Sequence, residues 1–214
     1  MGESSSFWDE IWRKADRARI AAFVNGFDFS PDPILRFLTE ARAAAVCDAG
    51  CGCGVYALKL AFCGFSVSGF DVSEAAVRMA GELMASRGFS PEGFRRADIA
   101  ETGYGDGCFD AVVARDVIDH MTLREGAAAL KELLRIVKPG GAVVLTLDGT
   151  DETYESEPHS VSADGDYRFT GGRWKGMTFH PYTPDDVLRL TKGYAAETLD
   201  ASDRGFTICV RRPG

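Results

Sequence analysis

The chain of 214 residues contains no run of about 18 apolar residues, so nothing in it reads as a membrane-crossing helix. Its opening, MGESSSFWDEIWRK, lacks the basic start and apolar stretch of a secretory signal. These two absences predict a cytoplasmic protein with no membrane partner. Gly2 followed by Ser6 fits the loose myristoylation pattern, but so short a pattern matches often by chance, and a disordered polar leader is the preferred reading. Basic charge is also in short supply, with 24 Lys and Arg against 32 Asp and Glu and a net charge of −8. Non-specific affinity for nucleic acid or an anionic bilayer comes largely from Lys and Arg, so neither is expected as a partner.

Metal-ligand spacing is missing as well. The six cysteines, Cys47, Cys51, Cys53, Cys63, Cys108 and Cys209, include a C-x-C at 51 and 53. Zinc sites use wider C-x2-C pairs with a second pair or histidines, and none is placed to serve. The expectation is reduced thiols, small and buried, and no metal. No internal repeat or low-complexity tract interrupts the chain, and 45% hydrophobic residues at this length fit one globular domain with a sizeable core.

What is present is an alternation of strands and helices. The segment FWDEIWRKADRARIAAFV places Phe7, Trp8, Ile11, Trp12, Ala15, Ala22 and Phe23 largely on one face and predicts a single amphipathic helix packed on the domain. SPDPILRFLTEA predicts a second, capped by Ser30 or Asp32 with Pro33 in its first turn. A strand about Ala44 to Asp48 then leads through a glycine loop into a helix from Val55 to Phe62. FSVSGF, GFRRAD, FDAVVARDV and AVVLTLDG read as strands, SEAAVRMAGELMASRG and TLREGAAALKELLRIV as helices, and KPGG as a turn. This order makes a doubly wound α/β fold with a parallel sheet covered on both faces. Residues 149–182 break the rhythm before a last helix, TPDDVLRLTKGY, and two strands near AAETLDA and FTICVRR.

The glycine loop AGCGCG, with Gly50, Gly52 and Gly54, follows the first strand, where the ligand crevice of an open parallel sheet lies. Glycines there let the main chain turn sharply and approach a ligand closely. In a dinucleotide loop of form G-x-G-x-x-G the third glycine would fall at position 55, which is Val, and Asp48 would bring negative charge towards a pyrophosphate. A ligand carrying positive charge fits better. Asp71 follows Gly50 by 21 positions at the end of a strand, the spacing at which a carboxylate accepts from ribose hydroxyls; Asp71 as a helix cap is the plainer alternative. Asp98 beside apolar Ile99 suits an adenine edge and face, with a solvated loop carboxylate as the alternative.

VCDAGCGCG, FDVS, ADIAE, CFDAVVARDVIDHM and LLRIVKPGGAVVLTL, taken in order over about residues 44 to 147, resemble the successive motifs of class I S-adenosylmethionine-dependent methyltransferases. The resemblance implies a Rossmann-like, mostly parallel seven-stranded sheet whose final strand is antiparallel, and S-adenosylmethionine as cofactor. It implies that Gly50 and Gly52 approach the cofactor with Cys51 between them, that Asp48 lies near its methionine moiety, that Asp71 with Val72 holds the ribose, and that Asp98 with Ile99 holds the adenine. Cys53 departs from the Thr, Ser or Asn usual in the family's loop, which removes a side-chain hydrogen bond and leaves the backbone role. The opening FWDEIW and the late TFHPYTPDDVLRL are similar to the tellurite-resistance and thiopurine-type small-molecule branch. On this reading 1–42 forms N-terminal helices, 43–148 the cofactor-binding core, 149–182 a lid-like insertion and 183–214 the last helix and two strands.

Acceptor-side residues are sought at the end of the fourth strand and in the insertion. Arg115 and Asp116 emerge where strand becomes loop, above the cofactor's methyl group. His180, beside Pro181 and Tyr182, is favoured over His120, in an apolar stretch, and over His159. DYRFTGGRWKGMTFH predicts a hairpin turning at Gly171-Gly172, with Arg168, Arg173 and Lys175 as a cationic rim favouring a neutral or anionic acceptor; an edge ribbon extending the main sheet is the alternative. A DNA or RNA amino-methyltransferase would carry an Asn/Asp-Pro-Pro-aromatic loop where this chain has ARDV, so a small-molecule acceptor is expected. Two rivals stay in play: a nicotinamide-dependent oxidoreductase, disfavoured by Val55 and Asp48, and a non-catalytic cofactor-binding protein.

Overall fold

The computed structural model describes residues 3–150 and 152–214; Gly2 of the myristoylation pattern lies outside them. A seven-stranded sheet forms the centre of the molecule, built from β1 (Ala45–Ala49), β2 (Ser66–Asp71), β3 (Phe94–Arg96), β4 (Phe109–Ala114), β5 (Val137–Asp148), β9 (Ala195–Ser202) and β10 (Gly205–Arg211). Its order is β3-β2-β1-β4-β5-β10-β9. The first five are parallel neighbours, while β10 runs antiparallel to both β5 and β9. The sheet is therefore mostly parallel with a reversed final strand. The strands β1 and β4 are almost wholly buried because both faces are covered. Leu130, Leu133 and Ile136 pack on one side of the sheet, and Leu38, Tyr56 and Leu60 on the other. Lys138 to Gly141 swell out of the ladder, since Phe109 pairs with Val137 but Ala111 with Ala142.

Helices follow the strands: α4 (Val55–Phe62), α5 (Glu74–Ser86) and α6 (Leu123–Ile136), with α8 (Pro184–Leu190) preceding the last hairpin. The helix α6 starts at a capping box between Thr122 and Glu125. At the N-terminus the single expected helix is two, α1 (Glu3–Arg13) and α2 (Arg17–Gly26), because the Asp16 carboxylate caps the second by accepting from Ala18 N at 2.8 Å. In α3 (Pro33–Glu40), Asp32 is the cap and Pro33 the first residue.

The insertion opens with a short helix, α7 (Glu152–Glu155), and then forms a separate three-stranded sheet of β6 (His159–Val161), β7 (Tyr167–Phe169) and β8 (Thr178–Phe179). The expected hairpin pairs β7 with β8, but its second arm is short. Gly176 N returns to Phe169 O at 2.9 Å, so Gly171-Gly172 lies inside a wider loop instead of forming a two-residue turn. The small sheet does not extend the large one. Its apolar face, Phe169, Met177 and Phe179, packs against Phe7 and Trp8 of α1.

Candidate active site

Gly50 and Gly52 have φ of +73° and +52°, a left-handed backbone that glycine adopts without steric cost. A Cβ on Gly50 would meet Val117 at 2.5 Å, and one on Gly52 would meet the Trp12 ring at 2.7 Å. The loop is fastened to β2: Gly50 N and Cys51 N both donate to Phe70 O, at 2.8 and 2.9 Å. Gly52 N donates to Asp71 Oδ2 at 2.9 Å, and Ser73 N to Asp71 Oδ1 at 2.9 Å. Asp71 thus ties the glycine loop to the start of α5, whose cap is Ser73. Each of its oxygens keeps lone-pair capacity for a further donor, and burial pushes its carboxyl upward.

Above this loop, at the carboxyl ends of β1 to β4, is a cavity of about 320 Å³. Gly50, Gly52, Asp71, Val72, Asp98 and Ile99 line it, as does Asp116. The structure therefore gathers seven of the eleven residues singled out in the sequence around one space. Asp116 has a φ of +55°, rare for a residue with a side chain. It is held there by Thr146, whose Oγ1 accepts from Asp116 N and donates to Asp116 Oδ1, both at 2.8 Å.

The other four lie elsewhere. Asp48 sits beneath the loop, 2% exposed, with Oδ2 lacking a partner; burial pushes its carboxyl up to about 7. The Cys51 side chain is buried in the core behind the loop, where desolvation pushes its thiol well up. Arg115 turns from the cavity to place its guanidinium 4.9 Å from the Tyr56 ring centroid, 3.3 Å from Asp116 Oδ2. His180 does not reach the acceptor side: it is 1% exposed, with Nδ1 2.9 Å from Asp166 Oδ1 and Nε2 3.6 Å from Asp186 Oδ2. Its backbone N donates to Asp119 O at 2.7 Å, and Asp166 Oδ1 also accepts from Leu123 N at 2.9 Å. His180 and Asp166 thus join the insertion to the start of α6. His159 stacks on Tyr167 within the small sheet, ring centroids 4.2 Å apart.

His120 is the histidine that lines the cavity, its ring 4.7 Å from that of Trp8. Burial pushes its pKa down to about 4, so the ring is neutral near pH 7. Trp8, Trp12, Val117, Met121 and Glu125 also line the cavity and were not singled out as site residues. For Trp8 and Trp12 the only signal was the apolar periodicity of FWDEIW, which marks a buried face without saying what it covers, and Val117 and Met121 showed only as the apolar stretch around His120. Cys63 and Cys108 are exposed, against the expectation of buried thiols; all six cysteines are unbridged. Among the described residues no cluster of His, Cys, Asp or Glu could hold a metal ion, and no helix is long and apolar enough to cross a membrane.

Residues 46–141 match the family described as "Methyltransferase domain". The segment is thus similar to methyltransferase domains, and the fold around it is the Rossmann-like fold of S-adenosylmethionine-dependent methyltransferases. A ubiquinone biosynthesis O-methyltransferase of Alkalilimnicola ehrlichii is 31% identical over 125 residues, 58% of this chain and 49% of that protein. A 2-heptyl-1-hydroxyquinolin-4(1H)-one methyltransferase of Mycobacteroides abscessus is 34% identical over 139 residues, 62% of this chain and 60% of that protein. The chain thus spans less than two thirds of either relative. The crystal structure of a Burkholderia thailandensis 1,6-didemethyltoxoflavin-N1-methyltransferase shares the fold with a TM-score of 0.68, at 16% identity, over 99% of this chain and 88% of that one.

Proposed function

We propose that the protein transfers the methyl group of S-adenosylmethionine to a small-molecule acceptor, and that the cavity of about 320 Å³ is where it does so. The observation that carries this reading is the convergence of Gly50, Gly52, Asp71, Asp98 and Ile99 on one wall. The residues present fit the cofactor. The two glycines bring main chain without side chains to the cavity wall, with Val117 and Trp12 closed against them, and Asp48 keeps a buried oxygen without a hydrogen-bond partner nearby. Asp71 would take the ribose hydroxyls, and Asp98 and Ile99 the adenine. When bound, the cofactor supplies an electrophilic methyl group on a sulfonium. The protein's part is to align a nucleophile with it, which is worth several kcal/mol when the geometry is right, about 7 or more in favourable cases.

On the acceptor side stand Asp116, His120 and Met121, beneath Trp8. Asp116 would orient a donor on the acceptor, and neutral His120 can accept a hydrogen bond from its hydroxyl or amine. One relative is named for a hydroxyquinolone and the other for ubiquinone biosynthesis, and a small neutral or anionic acceptor accords with both names. The narrower likeness to the tellurite-resistance and thiopurine-type branch rests on two segments. One, FWDEIW, supplies Trp8 and Trp12 to the cavity, while the other, TFHPYTPDDVLRL, supplies the His180 junction. The test is transfer of radiolabelled methyl to a panel holding catechols, hydroxyquinolones, thiopurines and tellurite. Transfer to at least one compound, lost in Asp116→Ala, is expected. Cofactor binding without transfer to any of them would favour the non-catalytic rival.

A further inference from the structure

Among the described residues two other than glycine have a positive φ, Arg42 and Asp116, and Asp116 is the one on the cavity wall. Holding a residue with a side chain in that conformation costs free energy that its surroundings must offset. The offset comes from the end of the sheet. Parallel pairing of β4 with β5 runs as far as Ala114 opposite Leu145, after which the chain leaves β4 for the turn Ile118–His120. Thr146, the next residue of β5, still pairs on its other side with Thr207 of β10. Its hydroxyl is thus carried on paired strand at the point where the β4 ladder stops. There Thr146 Oγ1 accepts from Asp116 N and donates to Asp116 Oδ1, both at 2.8 Å, so one hydroxyl holds the backbone and the side chain of the same residue. Asp116 Oδ2 lies 3.3 Å from the Arg115 guanidinium. A carboxylate oxygen has room for more than one donor, so Asp116 fixed in this way can still accept from a group in the cavity.

The charged residues on the wall are Asp71, Asp98, Asp116 and Glu125, all of them acids. The cations expected to rim the site, Arg168, Arg173 and Lys175, are not among the lining residues, and Arg173 lies over the Trp174 ring, 4.4 Å from its centroid. An acceptor is met by carboxylates, which favours a compound that brings an O–H or N–H over an oxyanion. We propose that Thr146 is the positioning residue of the acceptor site: it locks Asp116 in its left-handed conformation so that the carboxylate receives an O–H or N–H of an uncharged acceptor. The proposal rests on the reading of this cavity as a methyl-transfer site and goes beyond it. It adds a residue outside the cavity lining, and it narrows the acceptor from neutral or anionic to uncharged. If Thr146 only tied off the end of the ladder, losing its hydroxyl would lower stability without regard to Asp116. A positioning role couples the two residues.

The test uses the full chain saturated with S-adenosylhomocysteine and calorimetry of two matched pairs of probes, catechol with 3,4-dihydroxybenzoate and 4-hydroxyquinoline with its 2-carboxylate. At least one uncharged member should bind about tenfold or more tightly than its carboxylate partner. For that compound Thr146→Val should weaken binding about fivefold or more, and Thr146→Ser, which keeps the hydroxyl, should recover most of the loss. Affinity for S-adenosylhomocysteine should stay within about twofold. Asp116→Ala should also weaken binding of the uncharged probe, and adding Thr146→Val to it should change the affinity by less than about twofold. Circular dichroism shows whether each variant is folded; should Thr146→Val not fold, Thr146→Ala carries the same comparison. Equal losses from Thr146→Val in the wild-type and Asp116→Ala backgrounds would make Thr146 a structural residue only and overturn the proposal. Carboxylates that bind as tightly as their uncharged partners, or no binding in either pair, overturn it too, while methyl transfer to another compound would leave the methyltransferase reading standing. Failure of the wild-type protein to bind S-adenosylhomocysteine overturns that reading, and the proposal with it.

Discussion

Asp48 and Asp119 are carboxyls that the interior holds protonated, pushed up by burial to about 7 and about 8. Asp119 is fully buried, and neither of its oxygens has a hydrogen-bond partner, Oδ2 lying 3.8 Å from His120 Nε2. The unfolded chain releases both protons near a pH of about 4, whereas the native state keeps them until about 7 and about 8. Between those limits the native state binds more protons than the unfolded one, so each rise in pH lowers stability. His120, with its pKa pushed down to about 4, works in the opposite sense between there and its unfolded value near 6.5. The carboxyl effect therefore stands alone from about pH 6.5 to 8. Thermal melts of the ligand-free protein should fall over that window, and the slope should shrink in Asp119→Asn. A flat profile in the wild-type protein would show that neither carboxyl is held this way. Gly52→Val belongs to the same scale. Its left-handed φ costs a branched residue about 1–2 kcal/mol, and the new side chain displaces Trp12. Probe affinity should fall about tenfold or more while the protein remains folded; unchanged affinity would place the cofactor away from the loop.

Among the elements, α3 and α4 are joined through one carboxylate. Asp32 accepts from Leu35 N as the cap of α3, receives the Tyr56 hydroxyl at 3.1 Å, and lies 2.9 Å from Lys59 Nζ, whose side chain is 5% exposed. Removing it leaves an ammonium in the interior with Asp28 O as its remaining hydrogen-bond acceptor among the described residues, at 3.1 Å. Asp32→Ala should cost about 3 kcal/mol or more, and urea unfolding should show a lower midpoint with an unchanged slope. A loss under about 1 kcal/mol would mean that water reaches Lys59. How far each element could be read in advance follows from what its residues report. The helix Val55–Phe62 and the parallel core were legible because β1 and β4 are apolar runs bounded by turns. The break at Asp16 was not, since a capping carboxylate in a charged helix looks like any other surface residue until its partner N–H is known. The small sheet was legible only as a hairpin, because β6 is three residues long and its pairing with β7 is set by tertiary contact. In the site, glycines and strand-end acids announced themselves by spacing. Trp8, Trp12 and the burial of His180 did not, since periodicity shows that a side is covered and is silent on the covering surface.

At the scale of the whole molecule, α1 lies between two structures, with Trp12 on the glycine loop and Phe7 and Trp8 on the insertion. The insertion is fastened to the core independently, through Asp166 and His180 at the start of α6. Replacing residues 168–177 by a short Gly/Ser linker keeps both of those residues and removes most of the apolar face under α1. Methyl transfer should be lost, while affinity for S-adenosylhomocysteine should fall by no more than about tenfold, because the glycine loop and Asp71 remain. Wild-type turnover in the shortened protein would mean that the insertion covers nothing the reaction needs. The assignment of the cavity is tested most directly by calorimetric titration of the wild-type and Asp71→Ala proteins with S-adenosylhomocysteine and with NADH. The wild-type protein should bind one S-adenosylhomocysteine and no NADH. Asp71→Ala, folded by circular dichroism, should bind it about tenfold or more weakly, as a charge-assisted pair of bonds worth about 1.5–3 kcal/mol requires. Binding of NADH alone, or an unchanged affinity in Asp71→Ala, would contradict the account.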